Sequence, residues 1–176
     1  MKCASSNLKT ISMNEITNHS VPIICDVYIV DGKIQKTTLS HSIDVNSCSW
    51  NVWFCSNTKN RDDVLQAIRK WLIAYFSNAV TNDLPLQLYG TAFRQEVLRT
   101  LYDTSVGTTM SYQDLAQCAG NIKAVRAVGS CCKKNPIPFF IPCHRVIKKN
   151  GSIGDFLFGA EMKRALLLLE QAICKK

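Results

Sequence analysis

The sequence predicts a small α/β domain, with an antiparallel sheet and one helix, followed by a mainly helical domain. Three observations support this fold class. Residues 21–56 contain stretches typical of strands, and apolar side chains recur at helical spacing between 60 and 78. Residues 82–90 contain a proline and a glycine, as a linker would, and helical patterns dominate beyond them. We therefore expect domains at 1–83 and 84–176.

The N-terminal domain begins with a predicted hairpin. Residues 21–30 and 33–40 have strand composition, and the Asp-Gly pair between them is a strong signal for a two-residue turn. Residues 49–56 predict a further strand. One face of the helix at 60–78 is apolar, with Val64, Ile68, Trp71, Leu72 and Tyr75. We expect the tryptophans and cysteines of this domain to lie in its core rather than in a site.

The C-terminal domain is predicted to contain a helix-turn-helix. Thr91 can cap a first helix, whose inner face carries Phe93, Val97 and Leu101. Ser111 and Asp114 then match a capping-box pattern that begins a short helix ending at Gly120. A second helix follows at about 122–133. Two short helices joined across a glycine turn are typical of a helix-turn-helix.

The second helix of this motif is unusually slim and basic. Its small residues are Ala124, Ala127, Gly129 and Ser130, and its basic edge is formed by Lys123, Arg126, Lys133 and Lys134. We expect Val125 and Val128 to face the core. A slim basic helix suits close approach to a DNA groove, but tight helix packing selects the same small residues, so the pattern alone leaves both interpretations open.

Charge is unevenly distributed between the two halves of the chain. Residues 1–83 contain 8 Lys or Arg and 7 Asp or Glu, whereas residues 84–176 contain 13 and 6. A basic C-terminal half favours a polyanionic partner, first of all nucleic acid. Charge alone is equally compatible with an ordinary solvated basic surface.

The nine cysteines are an odd number and need a separate explanation. The N-terminal residues contain no apolar stretch typical of a signal peptide, so we expect reduced thiols in an intracellular protein. We expect it in the nucleus of a eukaryote and in the cytoplasm otherwise. No apolar run reaches the roughly 18 residues that a membrane span needs. No cysteine spacing matches a zinc pattern, and we expect no metal, but a scattered zinc site stays open from Cys3, His19, Cys25 and His41.

The segment NPIPFFIPCHRV, residues 135–146, contains the strongest candidate for chemistry. Its three prolines stiffen the backbone that leads to Cys143. An ordinary thiol has a pKa near 8.5, so fast nucleophilic chemistry at neutral pH needs a base. His144 is the adjacent candidate, acting through a water, and Glu170 is the best candidate to orient its imidazole. From the residues alone, a structural cysteine remains the alternative.

The chain from about Gly90 to Glu170 resembles the C-terminal domain of the O6-alkylguanine-DNA alkyltransferases. The matching residues, in order, are GTAFRQEVL, TMSYQDLA, VRAVG and NPIPFFIPCHRV, and then Gly151, Gly154, Gly159, Lys163, Leu166, Leu167 and Glu170. The resemblance implies a winged helix-turn-helix-like domain here. It also implies a ribonuclease-H-like N-terminal domain, although residues 1–83 match no motif of the family.

The resemblance also implies the reaction and its residues. Cys143 would take the alkyl group, mainly methyl, from O6 of a guanine in double-stranded DNA, once per molecule and without a cofactor. His144 would deprotonate Cys143 through water while Glu170 holds the imidazole. Tyr112 would help to rotate the nucleotide out and would protonate the leaving guanine. Arg126 would fill the space left in the duplex from the minor groove.

Further residues correspond to supporting positions of the family. The slim helix would contact DNA with Lys123, Ala124 and Ala127 beside Arg126, and Tyr112 would also touch DNA. Asn135 would be a hinge between the helix-turn-helix and the active-site loop. Val146 would offer its backbone carbonyl to the guanine, and Lys163 would lie behind Cys143 and Tyr112.

The wall of the base pocket departs from the family pattern. Where most members have roughly Tyr-x-Gly-Gly-Leu, this chain has Phe156, Leu157, Phe158, Gly159 and Ala160. Loss of the hydroxyl at Phe156 should matter little. Phe158 replaces a usual glycine and is predicted to narrow the pocket, so that methylguanine is accepted and benzylguanine-type substrates react poorly.

Other functions stay open beside alkyl transfer. Some relatives bind alkylguanine without a cysteine and signal to other repair systems, and Phe158 could leave this chain such a binder. A helix-turn-helix regulator that senses alkylation is another alternative, and a cysteine protease a more remote one. We expect a monomer that does not associate with membranes.

Overall fold

The protein is described from a computed structural model. The described residues are 8–12, 23–42, 49–55, 60–80 and 82–174. The backbone divides into two compact units, Met1–Gln87 and Leu88–Lys176. The division falls inside the linker that the sequence indicates at 82–90.

The N-terminal unit contains one four-stranded sheet. Its strands are β1 (Leu8–Ser12), β2 (Ile23–Val30), β3 (Lys33–His41) and β4 (Ser49–Phe54), in the spatial order β1-β4-β2-β3. The β2–β3 hairpin is confirmed, and β1 is a strand that the sequence did not indicate. The expectation of a purely antiparallel sheet is wrong, because β2 and β4 run parallel. Strand β3 already pairs with one edge of β2, so β4 pairs with the other edge. Strand β4 runs in the same direction as β2.

One helix, α1 (Arg61–Phe76), completes the described part of this unit. The five apolar residues of its predicted face are all buried, which confirms the helical spacing. Alternate residues of β2 are also buried, as a sheet with one face in the core requires. Trp50 and Trp71 lie in this core, but Trp53 does not, and its indole donates to Asp26 on the opposite face of the sheet.

The C-terminal unit is mainly helical. Its elements are α2 (Ala92–Tyr102), β5 (Met110–Ser111), α3 (Tyr112–Cys118), α4 (Val125–Lys133), a single 3-10 turn (Cys143–Arg145), β6 (Val146–Ile147) and α5 (Gly159–Cys174). Strands β5 and β6 pair in parallel. The Thr91 cap is confirmed, as is the capping box of Ser111 and Asp114. Val128 is buried as expected, but Val125 is 37% exposed, because α4 begins at this residue and its first turn is open to solvent.

The described ranges contain seven of the nine cysteines. Six cysteines there form no disulfide: Cys25, Cys118, Cys131, Cys132, Cys143 and Cys174. Cys55 is disulfide-bonded, so the expectation of reduced thiols throughout is wrong at this residue. Two members of the open zinc set, Cys3 and His19, lie outside the described residues. Among the described residues, no group of three or more His, Cys, Asp or Glu could hold a metal ion. No described helix is long and apolar enough to cross a membrane.

Candidate active site

Asn135 fixes the loop that carries Cys143. Its Nδ2 donates to the Ile141 carbonyl at 2.8 Å and to Cys143 Sγ at 3.2 Å, while its Oδ1 accepts from the Ile137 amide at 3.1 Å. Because the side chain is buried, these bonds are shielded from water. One amide therefore connects the end of α4 to both the loop backbone and the sulfur.

Cys143 opens the 3-10 turn and is only 4% exposed. Burial raises the pKa of the Cys143 thiol, although the hydrogen bond from Asn135 and the charge of Lys163 act in the opposite direction. The thiol is therefore protonated at neutral pH. Nucleophilic attack by its sulfur consequently requires a nearby base.

His144, the residue directly after Cys143, forms a buried pair with Glu170. His144 Nε2 lies 2.8 Å from Glu170 Oε1, and both side chains are at most 1% exposed. Burial lowers the pKa of His144 despite the favourable effect of Glu170, so the imidazole is neutral. An ionised carboxylate only accepts hydrogen bonds, so Nε2 carries the proton. The lone pair is then on Nδ1, which has no hydrogen-bond partner among the described residues.

Arg145 anchors the carboxylate from the other side. Its Nε lies 3.0 Å from Glu170 Oε2 and its Nη2 2.8 Å from Oε1, while its Nη1 donates to the Thr104 carbonyl. The Gly107 amide also donates to Glu170. Burial alone would raise the pKa of Glu170, but His144 and Arg145 outweigh it and hold that pKa well below its usual range.

Arg145 is a site residue that was not predicted from the sequence. Arginine is usually exposed, whereas this one is 3% exposed and makes a forked contact with a carboxylate. The only sequence signal was its position directly after the Cys-His pair. Thr104 and Gly107 were missed because they act through backbone atoms, which residue type does not reveal.

Lys163 is a fully buried lysine on α5. Its Nζ donates to the Val146 carbonyl at 2.6 Å and lies 3.4 Å from the Asp155 carbonyl. Burial lowers the pKa of Lys163, although a Cys143 or Cys132 thiolate would favour its charged form. The Val146 carbonyl, which was expected to face a substrate base, already accepts this bond and keeps a second lone pair.

Tyr112 is half-buried at the start of α3. Burial, followed by the negative charges that Cys132, Cys143 and Asp155 can carry, raises its pKa to about 12. The phenol therefore keeps its proton at neutral pH and can donate it. Gly154 has a φ of +67°, and a Cβ there would come within 3.6 Å of the Tyr112 hydroxyl.

Aromatic rings surround the imidazole. The ring centroids of Phe139 and His144 are 6.4 Å apart, and those of His144 and Phe156 are 6.5 Å apart. Phe158 packs edge-on against Phe156 at 5.8 Å. Leu157 is 53% exposed, so about half of it faces solvent. The structure thus joins Phe156 and Phe158 to the site and leaves Leu157 outside it.

Three of the five predicted DNA-contacting residues lie on the surface. Lys123, Arg126 and Ala127 are exposed, and Ala124 is half-buried at the N-terminus of α4. They belong to an open helix start, whereas the thiol and its histidine are enclosed.

A buried thiol followed directly in the chain by a neutral, carboxylate-bound histidine is typical of the class of proteins that use a cysteine nucleophile. Comparison with known proteins gives the family. The family description "6-O-methylguanine DNA methyltransferase, DNA binding domain" matches residues 92–172. A methylated-DNA–protein-cysteine methyltransferase of Kluyveromyces lactis is 39% identical over 139 residues, covering 73% of this chain and 74% of that protein. The chain belongs to the family of methylated-DNA–protein-cysteine methyltransferases.

Two further comparisons agree with this assignment. The methylated-DNA–protein-cysteine methyltransferase of Cricetulus griseus is 43% identical over 111 residues, which is 58% of this chain and about half, 53%, of that protein. The crystal structure of Mycobacterium tuberculosis OGT in complex with DNA matches with a TM-score of 0.62 and 30% identity, over 84% of this chain and 86% of that one. The resemblance stated from the motifs is confirmed, as is the arrangement of an N-terminal sheet followed by a helical unit.

Proposed function

We propose that the protein reverses alkylation damage in DNA by transferring the alkyl group of O6-alkylguanine, mainly methyl, to Cys143. The observation that carries this proposal is the neutral His144, which directly follows a buried thiol and is held by Glu170, while its Nδ1 has no hydrogen-bond partner in the described part of the chain. A water passes the thiol proton to Nδ1 as the sulfur attacks the alkyl carbon. The S–C bond forms, the C–O bond breaks, and Tyr112 protonates the departing guanine. The proton taken up by His144 then returns through water to the Tyr112 phenolate. A thioether has no ready leaving group, so each molecule acts once.

The supporting residues have defined tasks in this proposal. Asn135 aims the sulfur, and the second lone pair of the Val146 carbonyl accepts a hydrogen bond from the guanine. Lys163 holds that carbonyl in place and favours the thiolate electrostatically. No cofactor takes part.

DNA recognition completes the proposal. The exposed start of α4 enters the minor groove of double-stranded DNA with Lys123, Ala124 and Ala127 as contacts, while Tyr112 helps to rotate the damaged nucleotide and Arg126 fills its place. Flipping costs a few kcal/mol, and less for a weakly paired base. The C-terminal unit is then a winged helix-turn-helix and the N-terminal unit is ribonuclease-H-like. The protein acts as a monomer inside the cell, in the nucleus of a eukaryote or the cytoplasm otherwise.

The direct test is the intact mass of the protein after incubation with a duplex that contains O6-methylguanine. The wild type should gain about 14 Da, since a thiol hydrogen is replaced by methyl. Cys143→Ser should gain nothing. Cys118→Ser, which removes an exposed free thiol, is the matched control and should gain the same mass as wild type. A wild type that binds the duplex without gaining mass would instead be a lesion-binding protein.

Phe158 sets the size of the accepted alkyl group in this proposal. It is half-buried against Phe156, whose ring meets His144, so it lies on the wall of the site. We expect fast transfer of methyl and slow transfer of benzyl. Phe158→Gly should raise the benzyl rate by roughly 10–200-fold, the range for differences of apolar fit, and should change the methyl rate little. Equal methyl and benzyl rates in the wild type would contradict this assignment.

A further inference from the structure

Cys132 is a second buried thiol near Cys143, and the proposed transfer does not use it. It lies in the last turn of α4 and is 8% exposed, against 4% for Cys143. The two sulfurs share their neighbours, because Tyr112 and Lys163 each interact electrostatically with both. A Cys143 thiolate also acts directly on Cys132, whose pKa it raises further after burial. The site therefore contains two thiols.

Asn135 connects the two cysteines. Its backbone amide donates to the Cys132 carbonyl at 3.2 Å, and its Nδ2 donates to Cys143 Sγ at 3.2 Å. The same buried side chain is bonded to the backbone of Ile137 and Ile141. The end of α4 that carries Cys132 and the loop that carries Cys143 are thus held in one fixed arrangement.

The neighbouring Cys131 differs from Cys132 in what surrounds it. It is equally exposed, at 8%, but the charges that act on it are those of Arg94 and Lys134. Consecutive side chains of an α-helix point about 100° apart, since a turn contains 3.6 residues. Of the two adjacent cysteines, Cys132 is therefore the one directed toward Cys143.

We propose that Cys132 and Cys143 form a reversible disulfide when a hydroperoxide oxidises the site, which preserves a nucleophile that has not yet been used. This inference rests on the proposed function, because Cys143 is the acceptor there and each molecule acts once. Overoxidation to sulfinic or sulfonic acid would remove such a molecule permanently. A disulfide is returned to two thiols by thiol–disulfide exchange.

The first step is oxidation of Cys143. His144 takes the thiol proton through water, and the sulfur attacks one peroxide oxygen. The S–O bond forms, the O–O bond breaks, and the second oxygen leaves as water after it takes the proton from His144. Cys143 is then a sulfenic acid. Because burial raises the pKa of Cys132 and no base is placed beside it in the described site, Cys132 stays a thiol during this step.

The second step joins the two sulfurs. The Cys132 sulfur attacks the Cys143 sulfur, the S–S bond forms, and the S–O bond breaks. The hydroxyl leaves as water with the proton of Cys132. Two thiols and one hydrogen peroxide thus give one disulfide and two waters, and the oxidised sulfur can no longer attack an alkyl carbon.

The test treats the protein with hydrogen peroxide in the absence of DNA, blocks the remaining thiols and digests the chain with trypsin. In the wild type, the fragment with Cys143 should appear linked to the fragment with Cys131 and Cys132. The linked pair should be about 2 Da lighter than the two thiol fragments together, since two hydrogens are lost. Cys131→Ala, the matched control, should keep the link, and Cys132→Ala should abolish it. Both changes favour the helix, and Cys132→Ser provides a second, nearly isosteric variant.

Recovery of methyl transfer gives an independent readout. After peroxide and then dithiothreitol, wild type and Cys131→Ala should regain nearly all of the transfer measured before treatment. Cys132→Ala and Cys132→Ser should stay largely inactive, with about 32 Da added to the Cys143 fragment by the two oxygens of a sulfinic acid. Each protein is compared with its own untreated sample, so differences in the initial rate do not enter.

Two results would overturn the inference: a Cys143 fragment that is not linked to Cys132 after oxidation, or equal recovery with and without the Cys132 thiol. Failure of the proposed function would look different. An untreated wild type that never gains a methyl group would overturn alkyl transfer, whereas the link between the two cysteines is measured without DNA and would still form.

Discussion

Two carboxylates, one in each unit, collect several hydrogen bonds in different surroundings. Asp26 on the sheet accepts from Thr38 at 3.3 Å, Asn51 at 3.0 Å and Trp53 at 3.3 Å, all neutral donors on a partly exposed face. Glu170 on α5 accepts from a histidine, an arginine and a backbone amide, and is 1% exposed. Hydrogen-bond number alone does not distinguish them.

The difference lies in what each carboxylate does to its partners. The donors to Asp26 do not titrate near neutral pH, so this carboxylate orders a sheet face and nothing more. Glu170 is ionised beside an imidazole, and its charge decides which nitrogen of His144 carries the proton. The cluster around Glu170 thus contains a buried group that can exchange a proton, His144. The described donors to Asp26 include no such group.

Removal of the charge at Glu170 should have the largest effect. In Glu170→Gln, Arg145 becomes a buried cation without a counter-charge. The new NH2 group of the glutamine, a hydrogen-bond donor, would also face an N–H donor where a carboxylate oxygen accepts now. We expect a loss of about 3–5 kcal/mol in the free energy of unfolding, measured by urea titration. Methyl transfer should also slow strongly, because a glutamine no longer fixes the imidazole tautomer.

A stability loss below about 1 kcal/mol would mean that the buried ion pair contributes no more than an exposed one. Unchanged transfer by the folded variant would remove Glu170 from the mechanism. Single-turnover mass measurements on folded protein separate these two results.

The pH dependence of the free energy of unfolding should report the ionised state of Glu170 and the neutral state of His144. The pKa of Glu170 is depressed from an ordinary value of 4.5, so its contribution is complete above that pH and is lost as pH falls toward the lower folded value. Burial also depresses the pKa of His144 from 6.5, so the unfolded chain takes up a proton there first. Stability should therefore fall below about pH 6.5 and fall further below about pH 4.5.

The size of the acid loss should be on the order of 2–3 kcal/mol for a carboxyl held well below its usual pKa. Unfolding measured between pH 7 and 3 checks the prediction. Glu170→Gln should lose the dependence below about pH 4.5. The same profile in wild type and Glu170→Gln would assign the acid sensitivity to other groups.

The sequence predicted most local structure in both units. The β2–β3 hairpin, the apolar face of α1 and the capping box of α3 all depend on residues close together in the chain. The parallel pairing of β2 with β4 was not predictable, since no local pattern encodes which strand edge a distant segment selects. The strand β1 was missed for the same reason, as it pairs with β4, about 40 residues further along the chain.

The site was predictable where chemistry selects a residue type. Cys143 and His144 are rare residues in a stiff segment, and Glu170 was the available carboxylate. Arg145 was missed because its role arises from burial, which composition does not show. Val125 was placed in the core because apolar residues are usually buried. Its exposure became visible only when the structure placed the start of α4 at this residue.

Asp26→Asn is expected to have the smallest effect and tests the comparison from the structural side. The amide keeps one acceptor for the Asn51 or Trp53 donors and loses the charge, whereas the described donors to Asp26 are all neutral. A loss of about 1 kcal/mol in the free energy of unfolding should follow, the net value of one hydrogen bond. The methyl transfer rate should equal that of wild type. A loss of transfer in this variant would show that the sheet face takes part in function. Asp26 would then not be a purely structural carboxylate, and its contrast with Glu170, which fixes the tautomer of His144, would fail.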